Sequence, residues 1–314
     1  MLNYGIVIFS LITDIKDGAT ERDMNNTLNV AFEFIDGFTA DKNTQVKLYT
    51  VLYNIFKQNE KFRYHVFLKL LDYCEANNCA VVIRNNLRII DEISKNWDIT
   101  VDERIEMYKK AVKLFKALDE QLDAYELMLK TLELFGDDKN LIFTHKEFIE
   151  GTIKLALQHP KIAQFGELYN LPAVKTQREE KTDEKLIELL HIFTYDNLEE
   201  YAKWESTNKQ YLESANIDPQ VCRNKITYLS FCSLALKDNV IGYDELAKIV
   251  AIKREDIEDW IIDAIVNNII DARIDQENEK IIINTFTQRT SNLKERLDKT
   301  AEDFRVVLQL IRPK

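Results

Sequence analysis

Over residues 21–216 apolar side chains recur at three- and four-residue steps, the spacing that lines one face of an α-helix. In 100–118, Ile105, Tyr108, Val112, Phe115 and Leu118 form one stripe, while Glu106, Lys109, Lys110, Lys113 and Lys116 fall on other faces. Each stripe must be covered by another helix, so the pattern confines this region to packed helices. Punctuation agrees: 7 Gly and 4 Pro in 314 residues are too few for the turns of an all-β sandwich or for several phosphate-cradling loops.

The periodicity predicts helices over 21–37, 44–58, 60–77, 82–97, 100–118, 120–135, 140–158, 182–194 and 197–215. Breaks are expected at Asn77-Asn78, at Gly136-Asp137-Asp138, at Pro160 and at Pro172. Thr100 with Glu103, and Thr144 with Glu147, have capping-box spacing, which satisfies unpaired amides at a helix start. Helix pairs at a spacing of roughly 35 to 40 residues predict an all-α helical-repeat solenoid over 1–217, each pair covering its neighbour. The polar stretch KTQREEKTDEK (175–185) reads as a solvated connection.

A different module is expected over 218–286. Asp218 as N-cap and Pro219 at the first helical position start a helix through roughly 219–237. A short strand VIGY (240–243), helices 244–250 and 254–268, and strands 269–275 and 280–286 follow, the order of a winged helix with its two-stranded wing. The helix that would enter a DNA groove is acidic. Lys253 and Arg254 stand against Glu255, Asp256, Glu258, Asp259 and Asp263, net −3 where phosphate contacts need Lys or Arg. Trp260, Ile261, Ala264, Ile265 and Ile269 have core spacing.

With a loop of Gln276, Glu277, Asn278 and Glu279, Asp275 faces Lys280. Ile270, Ala272, Ile274, Ile281, Ile283 and Thr285 then share the core face, and Asp271, Arg273, Ile282 and Asn284 the outer one, with Ile269 and Phe286 pairing beyond them. Ile282 becomes an outward apolar residue. KIIINTF has no proline and its only charge is at its start, so it is expected to leave an edge. Either this chain's last helix covers that edge or a neighbour's strand completes it. A final amphipathic helix over 291–311 carries Leu293, Leu297, Phe304, Leu308 and Ile311 on one stripe, and 287–314 holds seven cations and four anions. The candidate protein interface is therefore Lys280, Ile281, Ile282, Ile283 and Asn284 on the wing, with Leu293, Leu297, Phe304, Leu308 and Ile311 on the last helix.

The net charge of −11 opposes a general affinity for nucleic acid. His65, His145, His159 and His191 lie far apart in sequence, with no metal-ligand spacing, and G-x-G-x-x-G, G-x-x-x-x-G-K-[ST], G-x-S-x-G and H-E-x-x-H are absent from the sequence. No catalytic residue, cofactor, metal, small-molecule substrate or membrane partner is expected. Cys74, Cys79, Cys222 and Cys232 form no C-x-x-C pair and are expected to be buried, reduced thiols. The apolar run from Ile6 to Ile12 has no basic residue before it and is too short to span a bilayer, which predicts a buried first element and a cytoplasmic protein.

A helical array ending in a winged helix resembles the PCI-domain family, the scaffold subunits of the proteasome lid, the COP9 signalosome and translation initiation factor three. The stretches that carry the likeness are NKITYLSFCSLAL (224–236), YDELAKIVAIKREDIEDWIIDAIVNNII (243–270) and ARIDQENEKIIIN (272–284). RNNLRIIDEISKNWDITVDERIEMYKKAVKLF (84–115), YDNLEEYAKWESTNKQYLESANID (195–218) and TQRT (287–290) are most similar to the M-type subfamily of initiation factor three. After TQRT, Ser291-Asn292 stand where an aromatic and a glycine are expected, and residues 1–17 match nothing in the pattern, which reads as a shortened or alternative start. The resemblance implies a non-catalytic scaffold subunit of initiation factor three that binds PCI subunits such as A and C and MPN subunits F and H. It also implies support for recruiting the small ribosomal subunit and mRNA, with the last helix in a shared bundle. Rival expectations are a PCI scaffold of the signalosome (subunit seven-like) or proteasome lid, and a winged-helix nucleic-acid binder.

Overall fold

The computed structural model of the 314-residue chain describes residue 12 and residues 20–37, 41–56, 60–235, 239–250, 252–266 and 270–286. Ile12 is buried; the rest of the run from Ile6 lies outside the described residues, as do the final helix and Ile269. The chain divides between Leu134 and Phe135 into two units.

The first unit contains α1 (Glu21–Asp36), α2 (Lys42–Ile55), α3 (Glu60–Asn77), a 3-10 turn (Ala80–Ile83), α4 (Arg84–Arg88), α5 (Ile90–Ser94) and α6 (Val101–Ala117). Helix α7 (Gln121–Phe135) ends at the division. The Thr100–Glu103 capping box is formed: the Glu103 amide donates to the Thr100 hydroxyl, and the Thr100 amide to the Glu103 carboxylate at 2.8 Å. α3 packs on α2 and on α6; its contact with α6 is bordered by Lys110 with Asp72 and by Lys113 with Glu75 at 3.4 Å. The 82–97 segment is not one helix. It is broken at Ile89, whose φ of −104° and ψ of 16° fall outside helical values, so that Ile90 turns inward while Ile89 stays exposed.

The second unit continues with α8 (Lys139–Thr144), α9 (Lys146–Gln158), α10 (Gly166–Asn170), α11 (Pro172–Glu179), α12 (Glu184–Tyr195) and α13 (Leu198–Ser214). Gly136, at φ +50°, and the Asp138 N-cap set the break expected there. The second capping box is not formed. Thr144 ends α8 instead of preceding a helix, and His145 (φ −108°, ψ 25°) separates α8 from α9 and stacks on Phe135 at 5.2 Å. The break expected at Pro172 falls between α10 and α11, with Pro172 the first residue of α11, and α11 runs into the stretch read as a solvated connection, burying Thr176 and Gln177. Charge count alone misses this, because α11 turns its uncharged positions inward.

The winged helix follows as α14 (Pro219–Ala235), β1 (Val240–Gly242), α15 (Tyr243–Val250), a 3-10 turn (Arg254–Asp256), α16 (Ile257–Val266), β2 (Ile270–Asp275) and β3 (Lys280–Phe286). Asp218 caps α14, accepting from the Gln220 amide at 2.8 Å. Each element supplies the shared core: Phe231 and Cys232 from α14, Ile241 from β1, Leu246 and Val250 from α15, Ile257, Ile261 and Ala264 from α16, Ile270 from β2, and Ile281 and Ile283 from β3. A helical array followed by a winged helix is the architecture found.

Candidate protein-interaction surface

The strands pair antiparallel in the order β1-β3-β2, so β3 is central. β2 and β3 pair as expected at Asp275–Lys280, Ile274–Ile281, Arg273–Ile282 and Ala272–Ile283. A bulge then shifts the register, so that Asp271 meets Thr285 and Ile270 meets Phe286, with Asn284 as the extra residue. The other side of β3 is taken by β1, with Val240 opposite Ile282, Ile241 opposite Ile281 and Gly242 opposite Lys280. The Ile283 amide donates to the Asn239 carbonyl at 2.8 Å and the Tyr243 amide to the Glu279 carbonyl at 3.0 Å, extending the closure at both ends.

This corrects the expected docking edge. The Lys280–Ile283 side of β3 is taken by VIG of β1, which pairs a row of backbone groups that an edge strand would leave open. Of the candidate interface residues, Ile281 and Ile283 are core and unavailable to a partner. Lys280, Ile282 and Asn284 are exposed on the outer face, where the Asn284 amide donates to Asp271 at 3.3 Å. Leu293, Leu297, Phe304, Leu308 and Ile311 lie outside the described residues. Ile282 (37% exposed) and its partner Val240 (40% exposed) make a small apolar ridge beside Arg273.

A second exposed apolar pair sits on α16, where Ile262 and Val266 lie one turn apart, Val266 being 71% exposed. Their surroundings are acidic: Glu255, Asp256, Asp259 and Asp263 are all exposed. Glu258 accepts hydrogen bonds from the Tyr243 hydroxyl at 2.9 Å and from Gln276 at 2.7 Å, and Asp263 accepts from the Tyr228 hydroxyl at 2.9 Å. Arg254, one of the two cations of this segment, is engaged by Asp244 and Glu279. Trp260 is half-buried, stacked on Tyr228 with centroids 4.6 Å apart, and is not a free stacking platform. The helix presents carboxylates and short apolar side chains, which suits a protein partner and opposes a phosphate backbone.

The first helix of this module, α14, is tied to α9 by Lys225. Its buried ammonium donates to the carbonyls of Ala156 and, at 2.7 Å, His159 at the end of α9, and lies 4.8 Å from the Phe165 ring centroid. The negative end of α9 suits a cation there, while burial pulls the amine down to about 7. Sequence reasoning passed over this residue, although a signal was present: Lys225 lies on the stripe of Cys222, Ile226 and Leu229, a charge at a core position. All four cysteines are free and buried, and burial pushes the Cys222 thiol up to about 12. Among the described residues, no helix is long and apolar enough to cross a membrane.

Residues 198–285, which span α13 to the end of the wing, match the family model for the PCI domain. The chain is also similar to proteins named eukaryotic translation initiation factor 3 subunit M. That of Pyricularia oryzae is 24% identical over 277 residues, covering 84% of this chain and 64% of that protein. The Dictyostelium discoideum protein is 23% identical over 259 residues, 81% of this chain and 63% of its own length. The human protein is 22% identical over 249 residues, 78% of this chain and 64% of its own. The chain thus spans a little under two thirds of the length of these relatives.

Proposed function

We propose that this PCI-domain chain is a non-catalytic scaffold subunit of the translation initiation factor 3 complex. In this reading it works in the cytoplasm, joins other PCI subunits and the MPN subunits F and H, and supports recruitment of the small ribosomal subunit and mRNA. The observation that carries the proposal is that similarity to subunit M proteins runs along most of the chain, well beyond the PCI segment. A likeness confined to 198–285 would fit the signalosome and the proteasome lid equally well. The surface chemistry supports it: the face that a winged helix would turn to DNA is acidic, and the exposed apolar pairs Val240–Ile282 and Ile262–Val266 are of a kind that protein interfaces bury. In this reading the segment 287–314 contributes to a bundle with neighbouring subunits.

Affinity purification of the full chain from native cytosol, followed by mass spectrometry, tests the proposal. Initiation factor 3 subunits are expected in stoichiometric yield. Recovery of cullin-deneddylating or proteasomal subunits in their place would assign the chain to the rival scaffold.

A further inference from the structure

A groove of about 600 Å³ lies in the second unit between α11, α12 and α13, within the range of sites that hold small ligands or peptide side chains. Gln177 of α11 lines it. This side chain is 2% exposed, and its Nε2 has no hydrogen-bond partner among the described residues. A buried amide donor left unmet costs free energy, and almost all such groups in folded proteins are paired. An acceptor supplied from outside would satisfy it.

The rest of the lining restricts what that acceptor belongs to. Trp204 and Tyr169 form aromatic walls. The Trp204 indole donates to Glu188 at 3.0 Å, and Tyr169 meets His191 edge-on with centroids 5.8 Å apart. The cations at the groove are already engaged: Arg178 lies 4.7 Å over the Tyr169 ring, Lys203 pairs with Glu200 at 2.6 Å, and Lys181 with Glu184 at 3.8 Å. Arg178, Lys181 and Lys203 stand in the lining against Glu184, Glu188, Asp196 and Glu200, with Asp196 facing His191 Nδ1 at 3.2 Å, so the lining carries an excess of one negative charge. A phosphate-rich ligand would meet a lining of net negative charge here. A backbone carbonyl would answer Gln177, and a guanidinium stacked on Trp204 would answer Glu188.

We propose that this groove binds an extended segment of a protein partner, with a main-chain carbonyl accepting from Gln177 Nε2 and an arginine side chain between Trp204 and Glu188. The site lies on the helical region before the wing, and its occupancy does not depend on which complex the chain joins.

The test uses the full chain with 5-fluorotryptophan and terminally blocked heptapeptides whose central residue is Arg, citrulline, Glu or phosphoserine. The Trp204 resonance, assigned by its loss in Trp204→Phe, is expected to shift on addition of the Arg peptide and to saturate below about 1 mM. Citrulline should bind about tenfold more weakly, as loss of one charge-assisted contact implies, and the Glu and phosphoserine peptides should not bind. Gln177→Met removes a donor that has no partner among the described residues. It is expected to leave the thermal midpoint unchanged or raised while weakening Arg-peptide binding about tenfold. Glu188→Gln, which keeps an acceptor for Trp204, provides a second variant with the same expected loss. An unmoved Trp204 signal, equal binding by both variants, or stronger binding by phosphoserine or by an oligouridylate would overturn the proposal.

Discussion

Lys225 shows how one residue couples a helix end to the module beyond it. A lysine held at about 7 in the folded chain and near 10.5 when unfolded binds fewer protons folded than unfolded between those values. Its contribution to stability is therefore fully present above the unfolded value and is lost as pH falls toward 7. The chain's thermal midpoint should rise from pH 7 toward pH 9, and Lys225→Met should flatten that rise; equal slopes for the two proteins in calorimetry would remove the argument. Gln177 carries the same lesson in reverse, its buried donor having no acceptor among the described residues. Both are polar groups at core positions, and what surrounds them, not their residue type, gives them a role.

At the scale of elements, the sheet turns on three residues of the short strand expected over 240–243. β1 is only Val240–Gly242, yet by pairing with β3 it turns an edge into a centre. Alternation along β3 then separates neighbouring isoleucines completely. Ile283→Ala should cost about 2–4 kcal/mol, because it opens a cavity among Ile241, Ile257 and Ile270 in a shared core. Ile282→Asp, on the outer face, should change stability by less than about 1 kcal/mol and weaken recovery of partner subunits instead. Chemical denaturation of both variants, with co-purification of the second, checks the pair; comparable destabilisation would place Ile282 in the core. Two elements were legible in outline only. The helix expected over 140–158 breaks at His145, and 175–185 holds a helical segment with a buried glutamine, because periodicity reports which residues can face inward and not where a neighbour lets them.

For the molecule as a whole, the charge of −11 and the acidic α16 point the same way. The full chain is expected to show no salt-sensitive binding to short duplexes at near-physiological ionic strength, measured by fluorescence anisotropy; an affinity falling steeply with salt would restore the nucleic-acid reading. The fold class, an array of helices before a winged helix, was readable because stripe spacing, N-caps and the hairpin signal are all local patterns. The likeness to PCI scaffolds was readable from short motifs for the same reason.

The sequence by itself determined the helical array, the winged-helix order, the register of the wing from Asp275–Lys280 to Ala272–Ile283, and the acidity of α16, since each follows from residues near one another in the chain. Only the tertiary structure decided what covers β3, that Lys225 caps α9 across more than 65 residues of sequence, and that Gln177 is buried in a groove wall. These depend on contacts between distant segments, where burial and hydrogen-bond partners are fixed by packing geometry that no local spacing encodes.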